Sequence, residues 1–346
     1  MSDCRKLTTY FGERARADGA FLADALIDVY ARHALQTSLV LRGIAGFGAR
    51  HQSTDRLLTM SEDLPLAAVA VDERERIEAA LADVRALPRF TGLITLERAR
   101  LLTSGLAEAE APAGPTKLTV YLGRQERAAG RPADDAVVEL LHRRGIAGAT
   151  VLLGVDGTAR GIRERARFFA RNAEVPLMVI AIGDGDRIAT VLPELGALLP
   201  RPLITLEPVQ LCKHDGQALA TPRAISEQEC RADPTLRQKL MIYASEQSRP
   251  AGRPLHRELV RALRAHGAAG ATVLHGVWGY HDGHPPHGDS FWQLRRRVPT
   301  VTIAIDTPAH IQRLFAVVDR ITDEAGLVTC EACHVVGQAR GSGRSA

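Results

Sequence analysis

A short pattern, Lys-Leu-x-x-Tyr, occurs three times in the chain: as KLTTY at residues 6–10, KLTVY at residues 117–121 and KLMIY at residues 239–243. The copies are separated by 111 and 122 residues. A second pattern, Leu-(Ile/Val)-Thr-x-Glu, follows each copy, at residues 93–97, 203–207 and 327–331. The two patterns therefore mark the beginning and the end of a unit that is repeated over nearly the whole chain.

The length of the repeat predicts complete domains. Solenoid and propeller repeats have about 20–50 residues, because each is one supersecondary unit that cannot bury its own apolar face. A unit of roughly 100 residues has the size of a domain with its own core. We therefore predict three modules, two linkers and a disordered tail. The modules are residues 1–103, 117–214 and 236–336, the linkers are 104–116 and 215–235, and the tail is 337–346.

Composition and charge exclude several classes of protein. With 45% hydrophobic and 24% charged residues, the chain is typical of a soluble globular protein. Its 44 basic and 40 acidic residues are spread along the chain, which argues against a nucleic-acid partner. The sequence has no apolar run long enough for a transmembrane segment and no signal peptide, so we expect a cytoplasmic protein. Five scattered cysteines do not form a disulfide framework.

The hydrophobic pattern of the second module predicts the order β-α-β-β-α-β. Alternation at Leu118, Val120 and Leu122 predicts a strand, and apolar residues at helical spacing follow at 133–141. Two further strands, a second helix and the closing Leu-x-Thr strand complete the unit. This is the ferredoxin-like arrangement of the α+β class. Because residues 177–182 are apolar on both faces, we expect the three modules to pack their open sheet faces together as an intrachain pseudo-trimer.

Glycine pairs precede the connection between the second and third strands of each module. The connection is long, at residues 46–63 in module 1 and 279–297 in module 3. Glycine can expose backbone N–H groups to an anion, or it can permit a bulge where a loop leaves the sheet. Taken alone, the glycines favour the bulge, because short glycine patterns often match by chance. The pairs are Gly43 and Gly46, Gly154 and Gly157, and Gly276 and Gly279.

Several motifs together resemble the family called domain of unknown function 190, a relative of the PII signalling proteins. They are the Lys-Leu-x-x-Tyr pattern, GATVLxG at 148–154 and 270–276, RGIAGFG at 42–48, and Leu-Pro at 64–65. The resemblance implies ferredoxin-like modules that act in threes, ligands in the clefts between modules, and a mobile loop that reports occupancy to a partner. PII proteins carry a glycine- and lysine-rich phosphate loop before the last strand, whereas residues 87–92 and 199–202 here offer arginine and proline.

From these observations we predict a non-enzymatic, PII-like regulatory protein that binds a small anionic metabolite or nucleotide. The expected partner is a protein target, for example a membrane transporter. The sequence identifies no cofactor, and only module 1 keeps the full RGIAGFG run, so three equivalent clefts are not expected. The alternative is a ligand-free interaction scaffold. The candidate binding residues are Arg42, Gly43, Gly46, Phe47, Gly48, Gly154, Asp156, Gly157, Gly276, Trp278, Gly279 and Tyr280.

Three other groups of residues bear on function. Histidines at 275, 281, 284 and 287 have the residue type of a metal site, but their irregular loop favours solvent exposure, and no metal is predicted. Cys330, Cys333 and His334 match a haem-attachment pattern, yet cysteines three apart on a strand face opposite sides. The glutamates at 97, 207 and 331 are interpreted as facing solvent or pairing with arginines of a neighbouring module.

Overall fold

A computed structural model shows a mixed α+β fold with a large antiparallel sheet. It describes residues 3–48, 51–52, 63–159, 162–165, 175–245, 248, 252–281, 287–288, 299–322 and 326–338. Within these residues seven α-helices are formed, and no helix is long and apolar enough to cross a membrane.

Each module has its main elements in the predicted order β-α-β-β-α-β. Module 1 contains β1 (Asp3–Gly12), α1 (Leu22–Arg32), β2 (Thr37–Gly48), β3 (Pro65–Glu73), α2 (Arg74–Ala86) and β4 (Leu93–Leu102). Module 2 contains β5 (Pro115–Gly123), α3 (Ala133–Arg143), β6 (Gly148–Ala159), β7 (Pro176–Asp184), α4 (Gly185–Leu198) and β8 (Ile204–Pro208), followed by β9 (Gln210–His214) and α5 (Glu227–Ala232). Module 3 contains β10 (Leu236–Ser245), α6 (Leu255–Ala265), β11 (Ala271–His275), β12 (Trp278–His281), β13 (Pro299–Asp306), α7 (Pro308–Ile321) and β14 (Leu327–Gln338).

Short elements complete the description. Two-residue strands form hairpins before α1 (Arg16–Ala17 with Ala20–Phe21) and before α3 (Arg127–Ala128 with Arg131–Pro132). The remaining short strands are His51–Gln52, Ile162–Arg165, Gln217–Ala218 and His287–Gly288, and Leu106–Glu108 is a 3-10 helix.

Strand pairing within each module follows one scheme. In module 1, β1 lies between β3 and β4, antiparallel to both, and β2 is the other neighbour of β3. The order β2-β3-β1-β4 recurs as β6-β7-β5-β8 in module 2. In module 3 it recurs as β11-β13-β10-β14.

Within the described part of the chain, the apolar residues form four buried clusters. Three lie between the sheet and the helices of one module each. The fourth draws buried side chains from all three modules and lies on the opposite sheet faces. Strand β7 shows how the pattern serves both sides: Leu177 and Val179 belong to the core of module 2, whereas Met178 and Ile180 belong to the shared cluster. The doubly apolar strand predicted at 177–182 is therefore buried on both faces.

Hydrogen-bonded strands join every module to the other two. The second-strand region of each module pairs with that of both other modules. Gly157 of β6 lies opposite Leu39 of β2, Gly279 of β12 opposite Thr150 of β6, and Thr272 of β11 opposite Gly46 of β2. The closing strands pair as well: β8 and β14 both join β4, and β9 joins β14. The modules are thus not separate bodies on a string.

Some predicted boundaries differ from the structure. The second linker, predicted to be irregular, contains α5, because Ser226 and Glu229 form a capping box at its start. Residues 337 and 338, predicted to belong to the disordered tail, are the last residues of β14, and the rest of the predicted tail lies outside the described residues. Most of the long connections after the second strands, and the histidine at 284, lie outside the described residues.

Candidate functional site

A cleft of about 170 Å³ lies between modules 1 and 3, and we call it cleft A. Module 1 contributes the end of β2, the tyrosine of the first repeated pattern, and Pro65 at the start of β3. Module 3 contributes β11 and alternate residues of β13. The residues that line cleft A include Tyr10, Phe47, Asp63, Arg237, Ile303 and Asp306. Three of the predicted binding residues, Gly46, Phe47 and Gly48, line this cleft.

Charged groups lie on the wall of cleft A. Asp63 accepts a hydrogen bond from the backbone N–H of Arg14 at 2.7 Å. Asp306 accepts one from the N–H of Ala269 at 2.9 Å and pairs with His310 at 2.9 Å. Nη1 of Arg237 donates hydrogen bonds to the carbonyl oxygens of Pro234 and Leu236. Arg237 is therefore a partly buried cation that shares the wall of cleft A with two carboxylates and with apolar and aromatic side chains.

A second cleft, cleft B, lies at the equivalent position between modules 2 and 3 but has a volume of only about 20 Å³. Its lining repeats that of cleft A, with Tyr243 in the place of Tyr10 and Ile180 in the place of Ile303. Tyr280 occupies the position of Phe47. Clefts A and B thus differ in volume, and the inequivalence of all three clefts stays a prediction.

The glycine pairs lie where neighbouring modules meet. A Cβ at Gly46 would stand 2.4 Å from the carbonyl oxygen of Ala271 in module 3. The equivalent Cβ at Gly157 would stand 2.3 Å from the carbonyl oxygen of Ser38, and that at Gly279 2.2 Å from the carbonyl oxygen of Ala149. Real Cβ atoms do not approach backbone this closely, so the second glycine of each pair permits the strands of two modules to pair.

The first glycine of each pair packs against its own module, and at Gly43 also against a neighbouring one, where a Cβ would stand 2.8 Å from the carbonyl oxygen of Val273. A Cβ at Gly43 or Gly276 would stand 2.7 Å from the ring of the proline that opens the third strand. At Gly154 it would stand 2.5 Å from that proline's carbonyl oxygen. A register shift between Gly154 and Asp156 marks a bulge in β6. The bulge alternative therefore has a structural basis, and the role of these glycines as anion donors stays a prediction.

The remaining predicted residues lie apart from one another. Arg42 is exposed and pairs with Glu13 at 3.0 Å, and it is not among the residues that line cleft A. Asp156 is buried and accepts a hydrogen bond from the N–H of Gly157 at 2.8 Å. Trp278 and Tyr280 pack against the core of module 2. The structure therefore brings together the candidates of module 1 at 46–48 and separates them from Arg42.

A ring of six buried charged side chains links the three modules. Each lysine of the Lys-Leu-x-x-Tyr pattern lies directly opposite the glutamate of the closing pattern in its own module, because the first and last strands pair in that register. These distances are 2.9 Å for Lys6, 3.1 Å for Lys117 and 3.2 Å for Lys239. Each lysine also contacts the glutamate of another module: Lys6 contacts Glu207, Lys117 contacts Glu331, and Lys239 contacts Glu97 at 2.6 Å.

Positive and negative charges therefore alternate around a closed ring with no net charge. No ring side chain is more than 8% exposed. Burial opposes the charged form of Lys239, but Glu331 and Glu97 outweigh it and hold its pKa well above the usual value. Burial likewise would raise the pKa of Glu97, but Lys239 and Lys6 hold it well below the usual value. Lys239 and Glu97 therefore stay ionised, because each has opposite charges on both sides. At Lys117 burial outweighs the attraction of Glu207 and Glu331, and its pKa lies below the usual value.

The interpretation of the glutamates was wrong, since Glu97, Glu207 and Glu331 face neither solvent nor arginines. The sequence did contain the signal, because lysine and glutamate recur once in every repeat. Carboxylate oxygens of the three glutamates lie within 4.8 Å of one another, a spacing that suits a cation. The three ammonium groups already neutralise them, so the residues present do not favour a metal there.

The cysteines are free thiols, and four of the five are buried. Cys330 lies in the core of module 3 and Cys333 in the shared cluster, so the two face opposite sides of β14 as predicted. Burial raises the pKa of Cys333 to about 12. The haem-attachment pattern is therefore a coincidence of spacing.

One family model matches three successive segments of the chain. The DUF190 family model, described as "Uncharacterized ACR, COG1993", matches residues 4–101, 115–211 and 237–335. The "UPF0166 protein MJ1524" of Methanocaldococcus jannaschii is 27% identical over 96 residues, which are 28% of this chain and 88% of that protein. A "UPF0166 protein" of Aquifex aeolicus is 29% identical over 97 residues, which are 28% of this chain and 90% of that protein. Each of these relatives thus corresponds in length to about one module.

Proposed function

The chain belongs to the DUF190 family over most of its length, and on that premise we propose that it is a PII-like regulatory protein. In this proposal each module is ferredoxin-like, and the three modules form an intrachain pseudo-trimer. The strand order shared by the modules and the apolar cluster that all three build support this arrangement. A small anionic metabolite or nucleotide binds between modules, and the protein acts in the cytoplasm without catalysing a reaction.

The observation that carries the proposal is the position of cleft A. Its wall includes residues 46–48, which end β2 and lead directly into the long connection to β3. A ligand in cleft A therefore touches the base of that connection. Ligand occupancy can change how the connection presents itself to a protein target, for example a membrane transporter. The aromatic rings of Tyr10 and Phe47 suit a flat ligand group, and Arg237 suits an anionic one.

A thermal-shift screen of nucleotides, anionic metabolites and divalent metals tests ligand binding. A ligand at 100 times its Kd stabilises the native state by about 2.7 kcal/mol. With about 2.1 cal/mol/K of unfolding entropy per residue and 346 residues, this predicts a rise in Tm of about 4 °C. Native mass spectrometry of the purified protein should show the same compound bound. No response to any compound, and no bound molecule, would contradict the proposal.

Two further measurements test details of the proposal. The Arg42→Ala variant tests the charge role predicted from the sequence, since a ligand that contacts Arg42 should lose affinity. An unchanged Kd would assign the charge to another residue. Incubation of the identified ligand with the protein tests the absence of catalysis, and chemical turnover would show an enzyme.

The ligand-free scaffold has one observation in its favour. Ile44 and Val155 occupy equivalent positions on the second strands of modules 1 and 2, and they are 38% and 39% exposed. Exposed aliphatic residues at matching positions suit contact with a protein partner. The scaffold predicts that Ile44→Ser together with Val155→Ser abolishes binding of a purified partner, while no small molecule changes the Tm of the wild-type protein.

A further inference from the structure

The residue that directly follows the second glycine of each pair differs between the modules. It is Phe47 in module 1, Thr158 in module 2 and Tyr280 in module 3. Phe47 lies beneath the guanidinium of Arg264, with 5.9 Å between Cζ and the ring centroid. This arrangement leaves cleft A with its volume of about 170 Å³.

The other two positions are closed by contacts between modules. Tyr280 is 3% exposed and packs edge-on against His142, with ring centroids 4.8 Å apart. It lines cleft B, which retains only about 20 Å³. Between modules 1 and 2, Thr158 is fully buried, and its hydroxyl is hydrogen bonded to that of Ser38 at 2.8 Å. We call this third position cleft C.

The modules also differ in charge at the position two residues before each ring lysine. Arg237 stands two residues before the ring lysine of module 3 and lines cleft A. The same position holds Pro115 in module 2 and Cys4 in module 1. Pro115 carries no charge, and Cys4 is a buried thiol. Cleft A therefore has a larger volume than cleft B, and it carries a cation at a position where modules 1 and 2 have none.

We infer that the chain binds one ligand rather than three, in cleft A, and that Arg237 determines its specificity for a small molecule that joins a flat apolar ring to an anionic group. This inference rests on the proposed function. The flat ring of the ligand lies among Tyr10, Phe47 and Ile303, and the anionic group of the ligand faces Arg237. The carboxylates of Asp63 and Asp306 keep their charge while they accept backbone hydrogen bonds, and Asp306 also contacts His310. Among the described residues that line cleft A, Arg237 is the one cationic side chain, so the anionic group is assigned to it.

Phenyl phosphate and benzoate are probes of this chemical class. Calorimetric titration of the full chain should give one site per chain, and a crystal soaked in phenyl phosphate should show it in cleft A alone. Arg237→Ala should weaken binding about tenfold or more, which is the range for loss of a charged hydrogen bond. Arg231→Ala is the control, because Arg231 is an exposed arginine paired with Glu227 on α5, and its Kd should stay within about twofold.

The outcomes separate the inference from the proposed function. Probe or ligand in cleft B or cleft C, or two or more sites per chain, overturns the single-site inference and leaves ligand binding intact. An unchanged Kd in Arg237→Ala overturns the role of Arg237. If neither the probes nor any compound of the thermal-shift screen binds, the proposed function fails and the inference fails with it.

Discussion

Replacing Glu207 by glutamine should destabilise the whole chain, because it leaves one uncompensated positive charge in a buried ring. Glu207 lies between Lys6 and Lys117 and is 3% exposed. Removing one partner of a buried ion pair costs about 3–5 kcal/mol. With 346 residues and about 2.1 cal/mol/K of unfolding entropy per residue, the expected fall in Tm is about 4–7 °C.

Scanning calorimetry at pH 7 measures this effect, and Glu78→Gln is the matched control. Glu78 pairs with Arg74 at 2.7 Å on the surface of α2, where both side chains are about half exposed. Its replacement should lower the Tm by less than about 1 °C. A Glu207→Gln variant as stable as Glu78→Gln would show that the ring contributes no more than a surface pair.

A double mutant tests whether the ring acts as a network. Lys6→Met together with Glu207→Gln removes one charge of each sign, so the remaining four charges are neutral in sum. The double variant should therefore lose less stability than the two single variants together, by about 1–3 kcal/mol. Strict additivity of the two single effects would refute the reasoning.

Three further predictions concern other features. Gly46→Ala should destabilise the protein by about 1–3 kcal/mol in chemical denaturation. Gly48→Ala is the control, because a Cβ there meets nothing within 4 Å, and it should change stability by less than about 0.5 kcal/mol. Equal effects would contradict the role of Gly46 in the close contact between modules 1 and 3. Because the pKa of Glu97 is lowered, this group stabilises the native state above its unfolded pKa of about 4.3, and the stabilisation is lost as the pH falls below that value. Because the pKa of Lys239 is raised, its stabilisation of the native state is lost as the pH rises above the unfolded pKa of about 10.4. The Tm should thus be level between about pH 5 and 8 and fall on both sides, because the buried thiols of Cys212, Cys330 and Cys333, whose pKa burial raises, also lower stability once the unfolded thiols ionise above about 8.5. A Tm that stays level down to about pH 3 would argue against the ring. Finally, Cys230 should be the one thiol that reacts quickly with Ellman's reagent before unfolding, because the other four are buried; rapid reaction of a second thiol would contradict the described packing.

Local pattern sufficed where a residue's environment is set by its own strand or helix. The apolar run at 177–182 and the helical spacing at 133–141 predicted β7 and α3. Gly145, with φ 69°, follows the end of α3, a position that favours glycine. The assignment of Gly337 and Gln338 to a tail was wrong, because both residues pair with β4 of another module. A contact of that range leaves no mark in the nearby sequence.

The candidate site was harder to predict, because its walls come from distant segments. The Lys6–Glu207 contact joins residues 201 positions apart, and a repeated lysine does not reveal which glutamate it faces. Arg42 belongs to a conspicuous motif yet lies on the surface, whereas Arg237 belongs to none and lines cleft A. Glycine spacing indicated a close approach of some group, but it could not show that the group is the backbone of a neighbouring module.

The pairing of β14 with β4 has a consequence for biosynthesis. Val335, near the end of the chain, lies opposite Thr95, which leaves the ribosome much earlier. Until the last strand emerges, nascent modules 1 and 2 display apolar sheet surface and unpaired edges, which are the features that promote association between unfinished chains. Completion of the fold therefore waits until β14 has been translated, and such distant contacts also slow the final step. Chaperone demand should accordingly be greatest just before β14 emerges.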